Sequence, residues 1–199
     1  DWRLLRCDPA RRTIALPAGV RLDLGGSAKG WTAALVARQV GRRFPTLVDA
    51  GGDIAISGPR HDGSPWPIEV ADPFRPEQGL DLLLVRRGAV ATSGIDYRRW
   101  QRHGRWMHHL IDPRTGAPAE TDLIAVTVIA PTLPMAEIAA KVVLLLGQEK
   151  GCHWLTTQPR LTALLVTAAG QVIRSPGFAR YCWSARPAHS RRTLMIREA

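Results

Sequence analysis

Short runs of alternating apolar and polar residues, broken by Gly, Pro and Asp, set the pattern of this chain. Residues 12–16 and 20–24 alternate in this way around Pro17-Ala18-Gly19 and predict a hairpin. After Gly25-Gly26 the period lengthens. Trp31, Ala34, Leu35, Val36 and Val40, with Arg38, Arg42 and Arg43 toward the end, predict a helix over residues 27–44. Ser27 suits its N-cap, and the basic end complements the helix dipole. Further β-type runs cover 46–48, 54–57, 68–71, 80–85, 89–92, 107–111 and 123–130. From Met135 the spacing turns helical again, with Met135, Ile138, Ala139, Val142, Leu145 and Leu146 on one side, and Glu137, Lys141 and Gln148 on the other. Gly147 ends that helix. A short helix over 149–157 and a closing hairpin of 161–167 with 171–174 complete the pattern. Strands in series with turn chemistry between them predict an α+β domain, a mostly antiparallel sheet packed with two main helices. One domain spans residues 1–178 without an internal repeat, and residues 179–199 form a basic tail.

With 45% hydrophobic residues in 199, the chain has enough apolar material for a core, which excludes intrinsic disorder. The longest uncharged apolar stretch, around residues 142–146, is far shorter than the run of about 20 residues a membrane helix needs, so no transmembrane segment is expected. Cys7, Cys152 and Cys182 are odd in number and far apart, which argues against a disulfide framework and a zinc cluster. A formal net charge of +10 first suggests a polyanionic partner. All 27 basic residues except Lys29, Lys141 and Lys150 are arginine, however, as a codon bias would produce. No aromatic-plus-basic strand motif or recognition helix is visible, so nucleic acid is not the expected partner. A lysine that persists in so arginine-rich a chain stands out.

Asp23-Leu24-Gly25-Gly26-Ser27-Ala28-Lys29-Gly30 leads into a helix through a glycine-rich turn, a geometry that can aim backbone N–H groups and the helix dipole at phosphate. It is neither of the familiar phosphate loops. Ser27 stands at the third position of the dinucleotide fingerprint, where its second glycine belongs, and Lys29 precedes Gly30 rather than following it. A plain tight turn explains the segment equally well when it is taken alone. Asp49-Ala50-Gly51-Gly52-Asp53 reads first as a tight turn, and so does Ala91-Thr92-Ser93-Gly94 before Asp96-Tyr97, although its hydroxyls also suit an anion. His108-His109-Leu110-Ile111-Asp112-Pro113-Arg114-Thr115-Gly116 is a strand ending in a type I turn, or a histidine, a carboxylate and an arginine gathered for proton transfer beside a phosphate. Strand alternation puts His109 and Ile111 on one face and His108, Leu110 and Asp112 on the other. Glu137 and Lys141, four apart on a helix, read by themselves as an exposed ion pair worth about 0.2–0.5 kcal/mol.

In series, these segments resemble the ApbE family, the FAD:protein FMN transferases. That family's pattern runs D-L-G-G-x-A-K-G, N/D-A-G-G-D, A-T-S-G with an aromatic soon after, H-x-I-D-P-x-T-G and V-T-V-x-A-P-T. The matching stretches here are Asp23 to Gly30, Asp49 to Asp53, Ala91 to Gly94 with Tyr97, His109 to Gly116, and Val126 to Thr132. The resemblance implies a T-fold-like α+β architecture, and a reaction that passes the FMN moiety of FAD to a Ser or Thr hydroxyl of a target flavoprotein with release of AMP. It implies that Asp23 and Lys29 contact FAD, that Ile111 lines the flavin site, and that the Gly26 carbonyl contacts a metal. His109 is then the expected proton acceptor, and Asp112 orients the turn or the histidine. FAD and a flavin-acceptor protein are the implied partners, magnesium the implied metal, and a membrane-anchored, extracytoplasmic setting is common in the family.

The chain departs from that pattern in two places. Where most of the family offers an Asp and, four residues on, a Thr as magnesium ligands, this chain has Glu137 and Lys141. A protonated lysine has no lone pair to give a metal. Glu137 remains the expected metal ligand, and Lys141 is expected to meet the pyrophosphate where the metal would sit, making magnesium dependence weak. Family members also carry a longer segment ahead of the D-L-G-G turn than residues 1–22. The expectation is therefore an N-terminally shortened member, or a piece of a longer protein. The alternative function is a flavin- or nucleotide-binding relative that no longer transfers.

Overall fold

The computed structural model describes residues 2–96 and 98–184; Tyr97 and the tail beyond residue 184 lie outside them. In chain order the elements are β1 (Arg6–Asp8), β2 (Thr13–Ala15), α1 (Ala28–Val40), β3 (Leu47–Asp49), β4 (Ile54–Ile56), β5 (Trp66–Asp72), β6 (Arg75–Val85), β7 (Gly88–Gly94), β8 (Arg99–Arg102), β9 (Arg105–His108), β10 (Ile111–Asp112), β11 (Ala117–Pro118), β12 (Leu123–Ala130), α2 (Leu133–Thr156), β13 (Thr162–Thr167) and β14 (Val172–Arg174). This is the expected α+β class. A central antiparallel sheet has the order β14-β13-β12-β7-β4-β3, and the remaining strands form separate two-stranded ribbons.

The two-residue period of the strands divides the core into two layers. Ala55, Ala89, Ala91, Val126, Val128 and Ala163 face α1 and α2, and these mostly small side chains let the helices lie close to the sheet. Ile54, Ile56, Val90, Ile129, Leu164 and Val166 face the other way, against Ile68, Val70, Leu83 and Val85 of the β5–β6 ribbon. Buried on both faces, β12 is apolar at every position but Thr127, as such a position requires. Phe178 fills the second layer, Cys182 bridges to Leu83, and the Trp183 N–H donates to the Leu82 carbonyl at 2.7 Å, so the chain packs on β6 as far as residue 183.

Three local expectations are corrected. The first hairpin joins β1 to β2, and residues 20–24 form no strand. The Asp8 carboxylate accepts the Arg11 N–H at 3.0 Å and sets the turn at that point, while Pro17 has no N–H to give a ladder. Ala91-Thr92-Ser93-Gly94 is the end of β7 rather than a turn, with the Thr92 and Thr127 hydroxyls paired across the sheet at 2.9 Å. The buried face of α2 is also displaced from the expected one, although Ala139 lies on both. Leu133, Ala136, Glu137, Ala139, Ala140, Val143 and Leu144 are buried, whereas Met135 and Ile138 are exposed. Gly147 breaks α2 as expected, with φ +76°, and Asp122 accepts the following Gln148 N–H at 2.8 Å, restarting the helix. No helix among the described residues is long and apolar enough to cross a membrane.

Candidate active site

The glycine-rich turn before α1 is held by its own backbone. The Ser27 and Ala28 N–H groups donate to the Leu24 carbonyl, and the Asp23 carboxylate accepts the Gly25 N–H at 2.7 Å. Ser27 takes the N-cap position, yet its side chain makes no capping hydrogen bond. The first turn of α1 therefore keeps backbone donors for another acceptor. Lys29, on that first turn, reaches Asp53 with its Nζ 2.7 Å from Oδ2; the lysine is half-exposed and the carboxylate buried. Asp53 was legible only as part of a turn, and its pairing with Lys29 joins the two glycine-rich segments. Asp49 accepts the Gly52 N–H at 2.7 Å and holds that second turn. An open groove of about 440 Å³ runs along α1 beside Lys29, lined by Ala28, Thr32, Ala33, Val36, Val48 and Ala50; His109, Glu137 and Lys141 lie outside it.

The buried face of α2 brings Glu137 and Lys141 to the same turn. Glu137 is 3% exposed, so the surface ion pair expected from its spacing is instead an inward one. Lys141 Nζ lies 3.2 Å from Glu137 Oε1 and donates to the Glu137 carbonyl at 3.4 Å. The Lys141 stem passes Gly26, where an added Cβ would stand 3.5 Å from Lys141 Cε. Glu137 Oε2 is buried without a hydrogen-bond partner and faces Gly30, where any Cβ would collide with it. Gly30 is thus the space that admits the carboxylate. Gly30→Ala is expected to push α1 off α2 and cost about 1–3 kcal/mol, read as a lowered urea midpoint; an unchanged midpoint would mean that the two helices do not meet as described.

His109 and Ile111 are exposed, while His108, Leu110 and Asp112 turn inward, as alternation predicts. His108 is committed to structure: its Nε2 pairs with the Ala119 carbonyl at 3.0 Å and its Nδ1 accepts the Leu110 N–H at 3.3 Å. His109 is held below its ordinary pKa chiefly by desolvation, and the charges of Arg98, His108 and Lys141 push the same way against a hydrogen bond to the Arg98 backbone. Both oxygens of Asp112 bond the Arg114 guanidinium, at 2.6 to 3.1 Å, and the Arg114 N–H donates to Oδ1 at 2.9 Å. Those bonds keep the Asp112 carboxyl below the usual range. Of the two roles expected for Asp112, the contacts belong to the turn, and Arg114 extends them to the Leu145 carbonyl of α2 at 3.4 Å.

Gly26, Gly30, Glu137 and Lys141 therefore meet at one turn, Lys29 opens onto its side, and His109 feels the Lys141 charge. A helix N-terminus flanked by two lysines suits a phosphate-bearing ligand, and an exposed histidine kept neutral suits proton transfer. Such a site on this sheet defines an α+β domain with a cationic, glycine-rich turn at the start of its first helix.

The chain belongs to the ApbE family, whose model matches residues 1–165. It is 34% identical over 180 residues to an FAD:protein FMN transferase of Treponema pallidum, covering 84% of this chain and 50% of that one. With the FAD:protein FMN transferase of Klebsiella pneumoniae it shares 32% over 160 residues, 79% of this chain and 49% of the relative. The ApbE protein of Thermotoga maritima superposes with a TM-score of 0.81 at 29% identity, over 91% of this chain and 60% of that one. The flavinyl transferase ApbE of Pseudomonas stutzeri, in its apo form, gives 0.73 at 27%, over 91% and 57%. The chain spans about half the length of the curated relatives it matches.

Proposed function

We propose that the protein transfers the FMN moiety of FAD to a Ser or Thr hydroxyl of an acceptor protein and releases AMP. The observation that carries this reading is the gathering of Lys29, Lys141 and the start of α1 around one glycine-rich turn, with an exposed histidine in electrostatic reach of Lys141. The FAD pyrophosphate brings two negative charges. Two ammonium groups and the free N–H groups of α1 answer them, and they do so more strongly as charge develops on the leaving AMP. Asp23 shapes the turn on which the dinucleotide lies, and Ile111, exposed beside His109, offers apolar surface to the flavin ring.

In the reaction the acceptor oxygen attacks the FMN phosphorus. The bond from that phosphorus to the bridging oxygen breaks, AMP leaves with that oxygen, and the hydroxyl proton passes to His109. A histidine with a lowered pKa is neutral at pH 7 and ready to accept it. Asp112, through Arg114, keeps the segment carrying His109 and Ile111 seated against α2. Relatives that match most of this chain bear the name FAD:protein FMN transferase, which supports the same chemistry here.

The test is to incubate the protein with FAD and a flavoprotein carrying an acceptor Thr, then to resolve the mixture under denaturing conditions. Flavin fluorescence on the acceptor band with stoichiometric AMP is the expected result. FAD binding without transfer would replace this reading with that of a non-catalytic flavin-binding relative.

A further inference from the structure

A magnesium site is implied by the family, and the residues present do not fit one. Magnesium wants about six oxygens in near-ideal octahedral geometry, commonly one or two carboxylates with water and phosphate. Of the carboxylates at the turn, Asp23 is held by the Gly25 N–H at 2.7 Å, and Glu137 already carries an ammonium 3.2 Å from its Oε1. A dication bound to that oxygen would stand beside a like charge. Among the described residues no group of three or more His, Cys, Asp or Glu side chains is placed to hold a metal. The other nearby carboxylate, Asp53, is taken by Lys29.

What the pair does offer is a fixed cation. Glu137 is buried between the two helices, with Oε2 against Gly30 and Oε1 on Lys141, so it cannot swing out to solvent. Lys141 is partly exposed, its stem lies along Gly26, and its Nζ is bonded both to the Glu137 carboxylate and to the backbone carbonyl of the same residue. Two of the three ammonium donors are thereby used in positioning, and the third is free for an outside acceptor. The ammonium lies beside the start of α1, where backbone donors also await an acceptor. A single bound charge, aimed by a buried carboxylate, thus stands at the glycine-rich turn.

Resting on the flavin-transfer reading above, we infer that Lys141 replaces the divalent cation against the FAD pyrophosphate, with Glu137 as the positioning residue that aims it, so that FAD binds and reacts without a metal. The absence of a side chain at Gly30 is part of this device, since a Cβ there would collide with the Glu137 carboxylate.

The experiment measures FAD affinity by flavin fluorescence in EDTA and in magnesium, and follows the free Mn²⁺ electron paramagnetic resonance signal as protein is added to Mn²⁺ with FAD. The wild-type protein should bind FAD equally well in both buffers and leave the Mn²⁺ signal at the level set by FAD alone. Lys141→Thr, alone and with Glu137→Asp, should weaken FAD binding in EDTA by about 10- to 100-fold, the loss of one charged hydrogen bond. Magnesium should restore it, and the Mn²⁺ signal should then fall with added protein. Glu137→Gln should weaken FAD binding while staying insensitive to metal. Wild-type protein that binds FAD only with magnesium, or takes up one Mn²⁺ per chain, would overturn the inference, and this arm decides even where a variant fails to fold. Failure to bind FAD in either buffer would instead overturn the flavin reading on which the inference rests.

Discussion

Replacing His109 with Asn should lower the rate of flavin transfer by about 10²- to 10⁴-fold, the range for removing a positioned general base, while FAD affinity stays near its wild-type value. The split is expected because His109 is exposed and belongs to neither of the two ion pairs whose lysines answer the pyrophosphate. The pH profile carries a second signature. A base works only when neutral, so the rate falls as pH drops through the histidine pKa. Desolvation and the charges of Arg98, His108 and Lys141 place that pKa below the ordinary 6.5, so the acid limb should lie below pH 6.5. Lys141→Met removes one of those charges and should move the limb upward, measured with saturating FAD. A wild-type rate in His109→Asn, or an acid limb unmoved by both substitutions, would assign the proton to another group.

The histidine was legible because strand alternation is a strict rule over so short a span. His109 and Ile111 come out exposed, with His108, Leu110 and Asp112 inward, although β9 stops at His108 and β10 begins only at Ile111. The strand over Leu123 to Ala130 was legible as a β-type run, and the structure places it in the middle of the sheet, apolar at every position but Thr127. The polarity of α2 was not legible. Counting Leu, Ile and Met points to the Met135 and Ile138 side, but a helix that lies close to a sheet of Ala89, Ala91 and Ala163 selects its alanines for contact. A buried glutamate among them looks like an exposed one until Gly30, far away in the chain, is seen to leave it room. The Lys29–Asp53 bond was hidden likewise, since it joins two turns that each make sense alone.

Lys29→Met is expected to damage both stability and FAD binding, and the two losses can be separated. Its Nζ is 2.7 Å from Asp53 Oδ2, and the Asp53 side chain is only 7% exposed. Stripping a partner from a fully buried pair costs about 3–5 kcal/mol. Water reaches this one through the half-exposed lysine, so about 1–3 kcal/mol is expected in a urea titration. FAD affinity should drop by about 10- to 100-fold as one charged hydrogen bond to the pyrophosphate is lost. Lys29→Met with Asp53→Asn removes the stranded carboxylate, so the double variant should recover much of the stability. It should not recover FAD affinity, because an amide beside a thioether supplies no cation to the phosphates. Recovery of both would show that Lys29 serves only to tie the two glycine-rich turns together, and would move the anion-binding role to Lys141 and the start of α1 alone. Recovery of stability with FAD affinity still weak would establish that one ammonium joins the turns and also faces the dinucleotide, an arrangement its half-exposed position allows.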